Sequence, residues 1–122
     1  PIALDEELIG VTSLTEKIAL LDTIRPQYLI LKPALLGGFA ATASWISLAR
    51  ERNIDWWLTS SLESNLGLNA ISQFVAQYDD LPFQGLGTGQ LYHNNFMSKA
   101  QLAGAFMCYD NNEENESPFR ET

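Results

Sequence analysis

Apolar residues in the first 85 positions fall into short compact runs that alternate with stretches of helical spacing. Residues 2–4, Tyr28–Leu31 and Asp55–Leu58 form three such runs, and residues 82–84 form a shorter fourth. Tyr28–Leu31 contains no charged side chain, which is typical of a strand buried on both faces. The runs therefore predict three strands and a fourth, weaker one.

Helix signals occupy the stretches between these runs. Ser13 and Glu16 have the spacing of a capping box, in which each side chain accepts a bond from the other residue's backbone N–H. Pro26 ends this first helix, and Gly37 and Gly38 precede the second. The apolar positions expected to face the core are Leu14, Ile18 and Leu21 in the first helix, Phe39, Ala43, Ile46 and Ala49 in the second, and Leu68, Ile71, Val75 and Tyr78 in the third.

The predicted strand ends recur at a regular interval. Asp5, Lys32, Thr59 and Gly85 follow one another by 27, 27 and 26 positions, and each interval holds one helix and one strand. Such alternation predicts parallel strands joined by right-handed crossovers. A complete eight-unit barrel needs ~250 residues, so four units in 122 residues fit half of a (β/α) barrel. The alternative is a small doubly wound sheet, although residues 85–89 lack the full glycine pattern of a dinucleotide site.

A half barrel needs a partner. Its two unpaired sheet edges are unfavourable when exposed, so the missing half must come from the rest of a longer chain or from another polypeptide. Residues 1–4 already have the pattern of a strand, with no cap or loop before them. This favours a segment cut from a longer protein.

Composition and charge exclude several classes of partner and site. The net charge of −8 repels nucleic acid and anionic membranes, and no apolar run approaches the ~20 residues of a membrane span. The single cysteine, Cys108, excludes an internal disulfide and a cysteine-based zinc site. We expect Cys108 to pack in the apolar stretch 106–109 of a cytoplasmic protein. The acids within 110–116 predict a solvated, mobile tail.

Polar groups follow each predicted strand, where barrel enzymes carry their catalytic residues. Asp5, Lys32, the hydroxyls of residues 59–61 and Gly85 occupy these positions, so they are expected around one opening. His93, the only histidine, has no nucleophile motif nearby and is expected in a loop.

Asp5 and Lys32 are the charged groups of this predicted opening. A carboxylate at a strand end suits magnesium, which prefers oxygen ligands, and the alternative is an ordinary loop or cap carboxylate. Lys32 would serve as an acid or base, or remain a cation facing developing negative charge. The alternative is a lysine that simply extends its ammonium to solvent.

Hydroxyl groups and glycines complete the set of candidate positions. Thr59, Ser60 and Ser61 precede a helix start and suit a ligand carboxylate, and the alternative is ordinary helix capping. The glycines of 85–89 either let backbone N–H groups approach a ligand or form a flexible turn.

Four stretches of the sequence resemble one enzyme family. IALDEE (2–7), LKPALLGG (31–38), SSLESNLGLN (60–69) and QGLGTGQ (84–90) are similar, in order and interval, to the o-succinylbenzoate synthases of the enolase superfamily, which are related to muconate-lactonizing enzyme. The resemblance covers residues 1–95 and implies strands 5 to 8, the C-terminal half of an enolase-type, TIM-like (β/α)7β barrel. For residues 96–122, which match poorly, the family implies a return to a capping domain.

The resemblance implies a magnesium-dependent lyase, with manganese as an alternative metal. The reaction would be the syn-dehydration of 2-succinyl-6-hydroxy-2,4-cyclohexadiene-1-carboxylate to o-succinylbenzoate, through an enediolate, on the route to menaquinone. The resemblance implies that Asp5 is a metal ligand and that Lys32 is the catalytic cation. Binding of the substrate's succinyl carboxylate is implied for Thr59, Ser60 and Gly85. A supporting position near the metal or substrate is implied for Glu6 and Glu63.

Other parts of this family's site do not occur in the sequence. The K-x-K lysines of the second strand, one of which is the acid/base, and the carboxylate ligands of the third and fourth strands are absent. We therefore expect the chain alone to be inactive and to need the remaining N-terminal part of the same enzyme. One alternative is an N-acylamino acid racemase or another racemase or epimerase on this scaffold, with Lys32 as an acid/base. Another is a non-catalytic half-barrel fragment that acts only by pairing.

Overall fold

The structure is a computed structural model that describes residues 1–79, 81–89 and 91–109. The helices are α1 (Leu14–Ile24), α2 (Pro33–Leu36), α3 (Phe39–Glu51) and α4 (Asn65–Val75). The strands are β1 (Ala3–Leu4), β2 (Tyr28–Leu31), β3 (Asp55–Leu58), β4 (Ala100–Ala103) and β5 (Phe106–Tyr109). Two compact units result: the first unit contains β1 to β3, α1 to α3 and Gly85, and the second unit contains α4, β4 and β5.

The first unit is built on a parallel three-stranded sheet in the order β1-β2-β3. Tyr28 pairs with Ala3 on one side and with Asp55 on the other, so the three strands run in step. The prediction of parallel strands separated by helices is confirmed.

The predicted fourth strand at 82–84 was wrong. Among the described residues, one isolated parallel bridge, between Thr59 and Gly85, continues the sheet beyond β3. The Leu58 N–H donates to the side-chain Oε1 of Gln84 at 2.7 Å, and Pro82 has no N–H to donate. A side chain therefore takes the place of a backbone ladder bond at this edge.

The two faces of the parallel sheet differ in burial. Leu29, Leu31 and Leu58 lie on one face and have no exposed surface. The opposite face carries Ile30 and Trp57, which are only half-buried among the described residues. The core of the first unit therefore lies on one side of the sheet.

The helix ends of the first unit follow the sequence signals. The Glu16 N–H donates to Ser13 Oγ at 3.2 Å, and the Ser13 N–H donates to Glu16 Oε2 at 3.3 Å, which confirms the capping box. Gly37 and Gly38 have φ angles of 94° and 92°, a region that favours glycine, and they separate α2 from α3. Helix α2 is a single turn, too short to give a periodic pattern.

The helix faces were predicted correctly only for α4, where Leu68, Ile71 and Val75 are buried and Tyr78 lies beyond the helix end. In α1, Leu21 is buried as predicted, whereas Leu14 is exposed and Lys17 is buried in its place. The buried residues of α3 are Thr42, Trp45, Ile46, Leu48 and Ala49, whereas Phe39 is exposed. Lys17 fits inside because its Nζ lies 5.1 Å from the centre of the Trp45 ring and donates to the Ala41 carbonyl at 3.4 Å.

The second unit pairs β4 with β5 in an antiparallel hairpin, and α4 contacts β4. Cys108 is exposed on β5, so the expectation that it packs in an apolar patch was wrong. Strand β5 shows little burial among the described residues because its side chains meet no covering layer there.

The predicted acidic tail at 110–116 lies outside the described residues, and the expected boundary at residue 95 stays a prediction. In the part of the chain that the structure describes, no helix has both the length and the apolarity that crossing a bilayer requires.

Candidate active site at the ends of the parallel strands

The carboxyl ends of β1 and β2 bring two opposite charges together. The Lys32 Nζ lies 2.8 Å from Asp5 Oδ1 and 2.9 Å from Oδ2, although the two residues are 27 positions apart. The Lys32 and Asp5 side chains are 18% and 34% exposed. The prediction that these two groups share one edge of the sheet is thus confirmed by their direct contact.

Backbone bonds fix Asp5 at its position. The Asp5 carbonyl accepts from the Leu8 N–H at 3.2 Å, and the Asp5 N–H donates to Glu7 Oε2 at 3.0 Å. This backbone N–H bond is the main reason that the pKa of the Glu7 carboxyl is lowered. The Asp5 side chain makes no cap bond to the following 3-10 turn, Glu6–Leu8, so the alternative of a capping carboxylate fails. Glu6 is exposed at the start of this turn.

Lys32 is held by the single turn of α2. Its carbonyl accepts from the N–H groups of Leu35 and Leu36 at 2.9 and 3.1 Å, and Pro33 occupies the first helical position. With the backbone fixed in this way, the side chain directs its ammonium at Asp5. The alternative of a lysine that extends to solvent therefore does not describe this side chain.

Thr59, Ser60 and Gly85 form a second cluster at the end of β3. The Gly85 N–H donates to the Leu58 carbonyl at 2.8 Å. The Gly85 carbonyl accepts from the Ser60 N–H at 3.1 Å and from Thr59 Oγ1 at 3.0 Å. The Gly85 backbone is therefore engaged with the sheet, which differs from both a flexible turn and a free N–H donor.

Close approach explains the glycine at position 85. A Cβ there would lie 2.6 Å from Thr59 Oγ1 and 2.9 Å from Thr59 Cβ, closer than real Cβ atoms come. Close packing against Thr59, rather than a flexible turn or a free N–H donor, therefore accounts for the glycine at this position.

Two other residues considered from the sequence, Glu63 and His93, belong to the second unit. The Glu63 side chain lies against Gly67 in the first turn of α4. His93 is exposed in a turn, as expected for a loop residue.

The sequence analysis missed Asn95. Its Oδ1 accepts from the Asn65 N–H at 2.8 Å, whereas Ser64, the residue that precedes α4, makes no side-chain cap bond. The first N–H of α4 is therefore engaged by a side chain from 30 positions along the chain. A pattern search of neighbouring residues cannot find such a distant cap.

The donor set supports only part of a metal site. The described residues contain no group of three His, Cys, Asp or Glu side chains that could hold a metal ion. Asp5 offers carboxylate oxygens, the ligands that magnesium prefers, at a partly exposed strand end. Asp5 therefore has the donor chemistry of one magnesium ligand, and the metal itself stays a prediction.

Comparison with known proteins agrees with the family resemblance. No family model matches the chain. An o-succinylbenzoate synthase from Desulfotalea psychrophila is 58% identical over 106 residues, which are 87% of this chain and 28% of that enzyme. The chain matches a C-terminal portion of o-succinylbenzoate synthase. It therefore spans less than a third of the length of this relative.

Solved structures give the same fold. The crystal structure of MenC from Desulfotalea psychrophila superposes with a TM-score of 0.82, at 58% identity, over 87% of this chain and 30% of that one. The L-Ala-D/L-Glu epimerase from Bacillus subtilis has a TM-score of 0.76 at 18% identity, over 90% and 30%. A mandelate racemase/muconate lactonizing enzyme from Roseiflexus has a TM-score of 0.72 at 23% identity. The match covers 86% of this chain and 29% of that one. The expected fold, a portion of an enolase-superfamily barrel, is confirmed.

Proposed function

We propose that this chain supplies the Asp5–Lys32 part of the active site of an o-succinylbenzoate synthase. The observation that carries the proposal is the direct contact between the Asp5 carboxylate and the Lys32 ammonium at neighbouring strand ends, in a chain 58% identical to part of that enzyme. The reaction would be the magnesium-dependent syn-dehydration that the sequence resemblance implies, a lyase step on the route to menaquinone in the cytoplasm. The partner molecule is a small carboxylate substrate.

Lys32 carries the chemistry that this chain contributes. Removing a proton next to a carboxylate builds negative charge on the substrate, and a fixed ammonium beside that charge lowers the barrier. The partial burial of Lys32 and the fixed backbone of α2 favour such a role, because a charge held in place needs no reorganisation during the reaction. A magnesium ion, held in part by Asp5, would supply further electrostatic stabilisation.

Thr59, Ser60 and Gly85 are proposed to bind the succinyl carboxylate of the substrate. The bonds from Thr59 and Ser60 to the Gly85 carbonyl hold this cluster in place before any ligand arrives, and the substrate carboxylate would take over the hydroxyl and N–H donors that now bond within the cluster. A rigid binding site lowers the entropy that is lost when the substrate binds. Glu6 and Glu63 keep their proposed supporting roles.

A complete site needs groups that this chain does not contain. The proposed partner is the remaining N-terminal part of the same enzyme, which would bring the other metal ligands and the acid/base lysine. The coverage of only 28% of the Desulfotalea enzyme supports this division.

A racemase or epimerase is the second candidate function, favoured by the structural likeness to the Bacillus epimerase. There Lys32 would exchange a proton with the substrate. Replacing Lys32 with arginine separates the two functions. A dehydratase would keep part of its activity because the cation is retained. A racemase would lose its activity because guanidinium stays protonated and cannot exchange a proton.

A chimera tests the proposed function directly. The matching 106-residue stretch of the Desulfotalea enzyme is replaced by the corresponding residues of this chain, and conversion of the cyclohexadiene substrate is followed with magnesium present. We expect dehydration by the chimera and none by the isolated 122-residue chain. A folded chimera without dehydration would contradict the proposal, as would full activity of the isolated chain.

A further inference from the structure

The side chain of Asn95 bonds to three backbone groups. Its Oδ1 accepts from the N–H groups of Asn65 and Phe96 at 2.8 and 2.9 Å, and its Nδ2 donates to the Gly89 carbonyl at 2.9 Å. An amide that accepts and donates in three directions fixes three backbone segments at once. These segments are the start of α4, the end of the glycine loop 85–89, and the chain at Phe96.

Two more bonds tie the same segments together. The Asn65 side chain also bonds to this stretch, because its Nδ2 donates to the Phe96 carbonyl at 2.6 Å. The Tyr92 hydroxyl donates to the Leu62 carbonyl at 2.6 Å, just ahead of α4. The stretch that contains Tyr92 and Asn95 is therefore fastened to the start of α4 at two places.

Gly89 packs closely against the first turns of α4. A Cβ at Gly89 would lie 2.8 Å from Asn65 Oδ1 and 3.3 Å from Leu68 Cδ1. At Gly87, in the same loop, the nearest atom would be Leu102 Cδ1 at 3.9 Å, an ordinary contact. Neither glycine has a positive φ, so the two positions differ in available space and not in backbone strain.

We propose that Asn95 is a positioning residue that fixes the glycine loop 85–89 for substrate binding. Within the first unit, Gly85 bonds to Leu58, Thr59 and Ser60, and within the second unit, Gly89 bonds to Asn95. A loop fixed at both ends loses less freedom when a ligand binds, so its loosening weakens substrate binding more than it slows the chemical step. This inference rests on the proposed function, because Gly85 is assigned there to the substrate carboxylate.

The first test separates the two functions of the Asn95 amide, in the chimera described above. Asn95→Asp keeps an oxygen that accepts from the Asn65 N–H and places a negative charge at a helix start, which is favourable. The same variant loses the N–H that donates to the Gly89 carbonyl, so a carboxylate oxygen would face that carbonyl oxygen. We expect an unchanged Tm and a KM raised by about two- to tenfold, with kcat much less affected. Asn95→Ala removes both functions, so it should raise KM similarly and also lower Tm by roughly 2 °C.

The second test changes the packing at Gly89 and leaves the Asn95 side chain intact. Gly89→Ala should raise KM, whereas Asn94→Asp, the same chemical change as Asn95→Asp at an exposed neighbouring asparagine, should leave KM within about twofold of the parent value. Amide hydrogen exchange within 85–89 should become faster in Asn95→Asp and Gly89→Ala but not in Asn94→Asp. This exchange readout needs no catalytic activity, so it remains informative even if the dehydration itself is not observed.

The outcomes distinguish this inference from the proposed function. An unmodified chimera that folds but does not dehydrate the substrate contradicts the proposed function, and exchange within the loop still tests the role of Asn95. An active chimera in which Asn95→Asp and Gly89→Ala keep the parent KM and the parent exchange rates overturns the positioning role. Equal KM increases for Asn95→Asp and Asn94→Asp would also overturn it, because the added charge and not the lost bond to Gly89 would then be the cause.

Discussion

Two ion pairs in the first unit have the same shortest distance and lie at opposite ends of the parallel strands. Lys32 and Asp5 meet at the carboxyl ends of β1 and β2, with 2.8 Å between Nζ and Oδ1. Arg52 and Asp22 meet where α1 and α3 end and lead into the next strands, with 2.8 Å between Nε and Oδ1. Distance alone therefore does not distinguish a candidate catalytic pair from a stabilising one.

The surroundings of the two pairs differ. The Asp22 carboxylate is 58% exposed, against 34% for Asp5, and solvent weakens an exposed pair. In barrel enzymes, residues at the carboxyl ends of strands carry the chemistry, whereas residues at the amino ends contribute stability. The comparison predicts that the first pair governs activity and the second affects only stability.

The largest effect is expected from Lys32→Met in the chimera. Loss of the ammonium removes the charge that faces the developing negative charge, so kcat/KM should fall by about 10²- to 10³-fold. Arg52→Met, the matched removal of the cation from the other pair, should leave kcat/KM within about twofold. Equal losses in the two variants, measured by initial rates, would refute the functional difference between the pairs.

Asp5→Asn is expected to act on the metal. The amide keeps the size of the side chain but lacks the charge that attracts a divalent cation, so magnesium affinity should fall by at least about tenfold. Isothermal titration calorimetry on the chimera and on Asp22→Asn provides the comparison. Unchanged magnesium affinity in Asp5→Asn would remove Asp5 from the metal site.

Gly85→Ala tests the packing against Thr59 at the end of β3. The added methyl group would meet Thr59 closer than 3.0 Å, so we expect a loss of about 1–3 kcal/mol in the free energy of unfolding. Urea unfolding of the chimera measures this loss, with Gly87→Ala as the control that changes it by less than about 0.5 kcal/mol. If both variants unfold at the same urea concentration, close approach does not explain the glycine at 85.

The smallest effect concerns the pH dependence of the Asp22–Arg52 pair. The hydrogen bond from the Arg52 side chain lowers the pKa of the Asp22 carboxyl. A lowered pKa in the folded state means that the carboxylate stabilises the fold above its unfolded pKa of about 3.9 and that this stability is lost as the pH falls through the folded pKa. Urea midpoints of the chimera and of Asp22→Asn should therefore differ slightly at neutral pH and converge in acid. A difference that persists unchanged below about pH 2 would contradict this assignment.

The sequence predicted those parts of the first unit that depend on local signals. The capping box of Ser13 and Glu16 is a four-residue pattern, and β2 is an uninterrupted apolar run, so both were found. Because parallel neighbours place their carboxyl ends together, the placement of Asp5 and Lys32 at one edge of the sheet also followed from spacing, whereas their direct ion pair did not.

The errors have a common physical origin in contacts between distant residues. Lys17 is buried because Trp45, on another helix, offers its ring to the ammonium. Residues 82–84 form no strand because the Gln84 side chain, rather than its backbone, bonds the edge of β3. Asn95 caps α4 from 30 positions away. None of these partners is visible within a window of neighbouring residues.

The half-covered face of the parallel sheet provides an intrinsic optical reporter. Of the three tryptophans in the sequence, Trp45 and Trp56 are buried, whereas Trp57 lies half-buried on the less covered face, 5.8 Å from the ring of Tyr28. Any polypeptide that covers this face would shield the Trp57 indole and leave the other two unchanged. A blue shift of the fluorescence emission on assembly would therefore come from Trp57, and Trp57→Phe would abolish it.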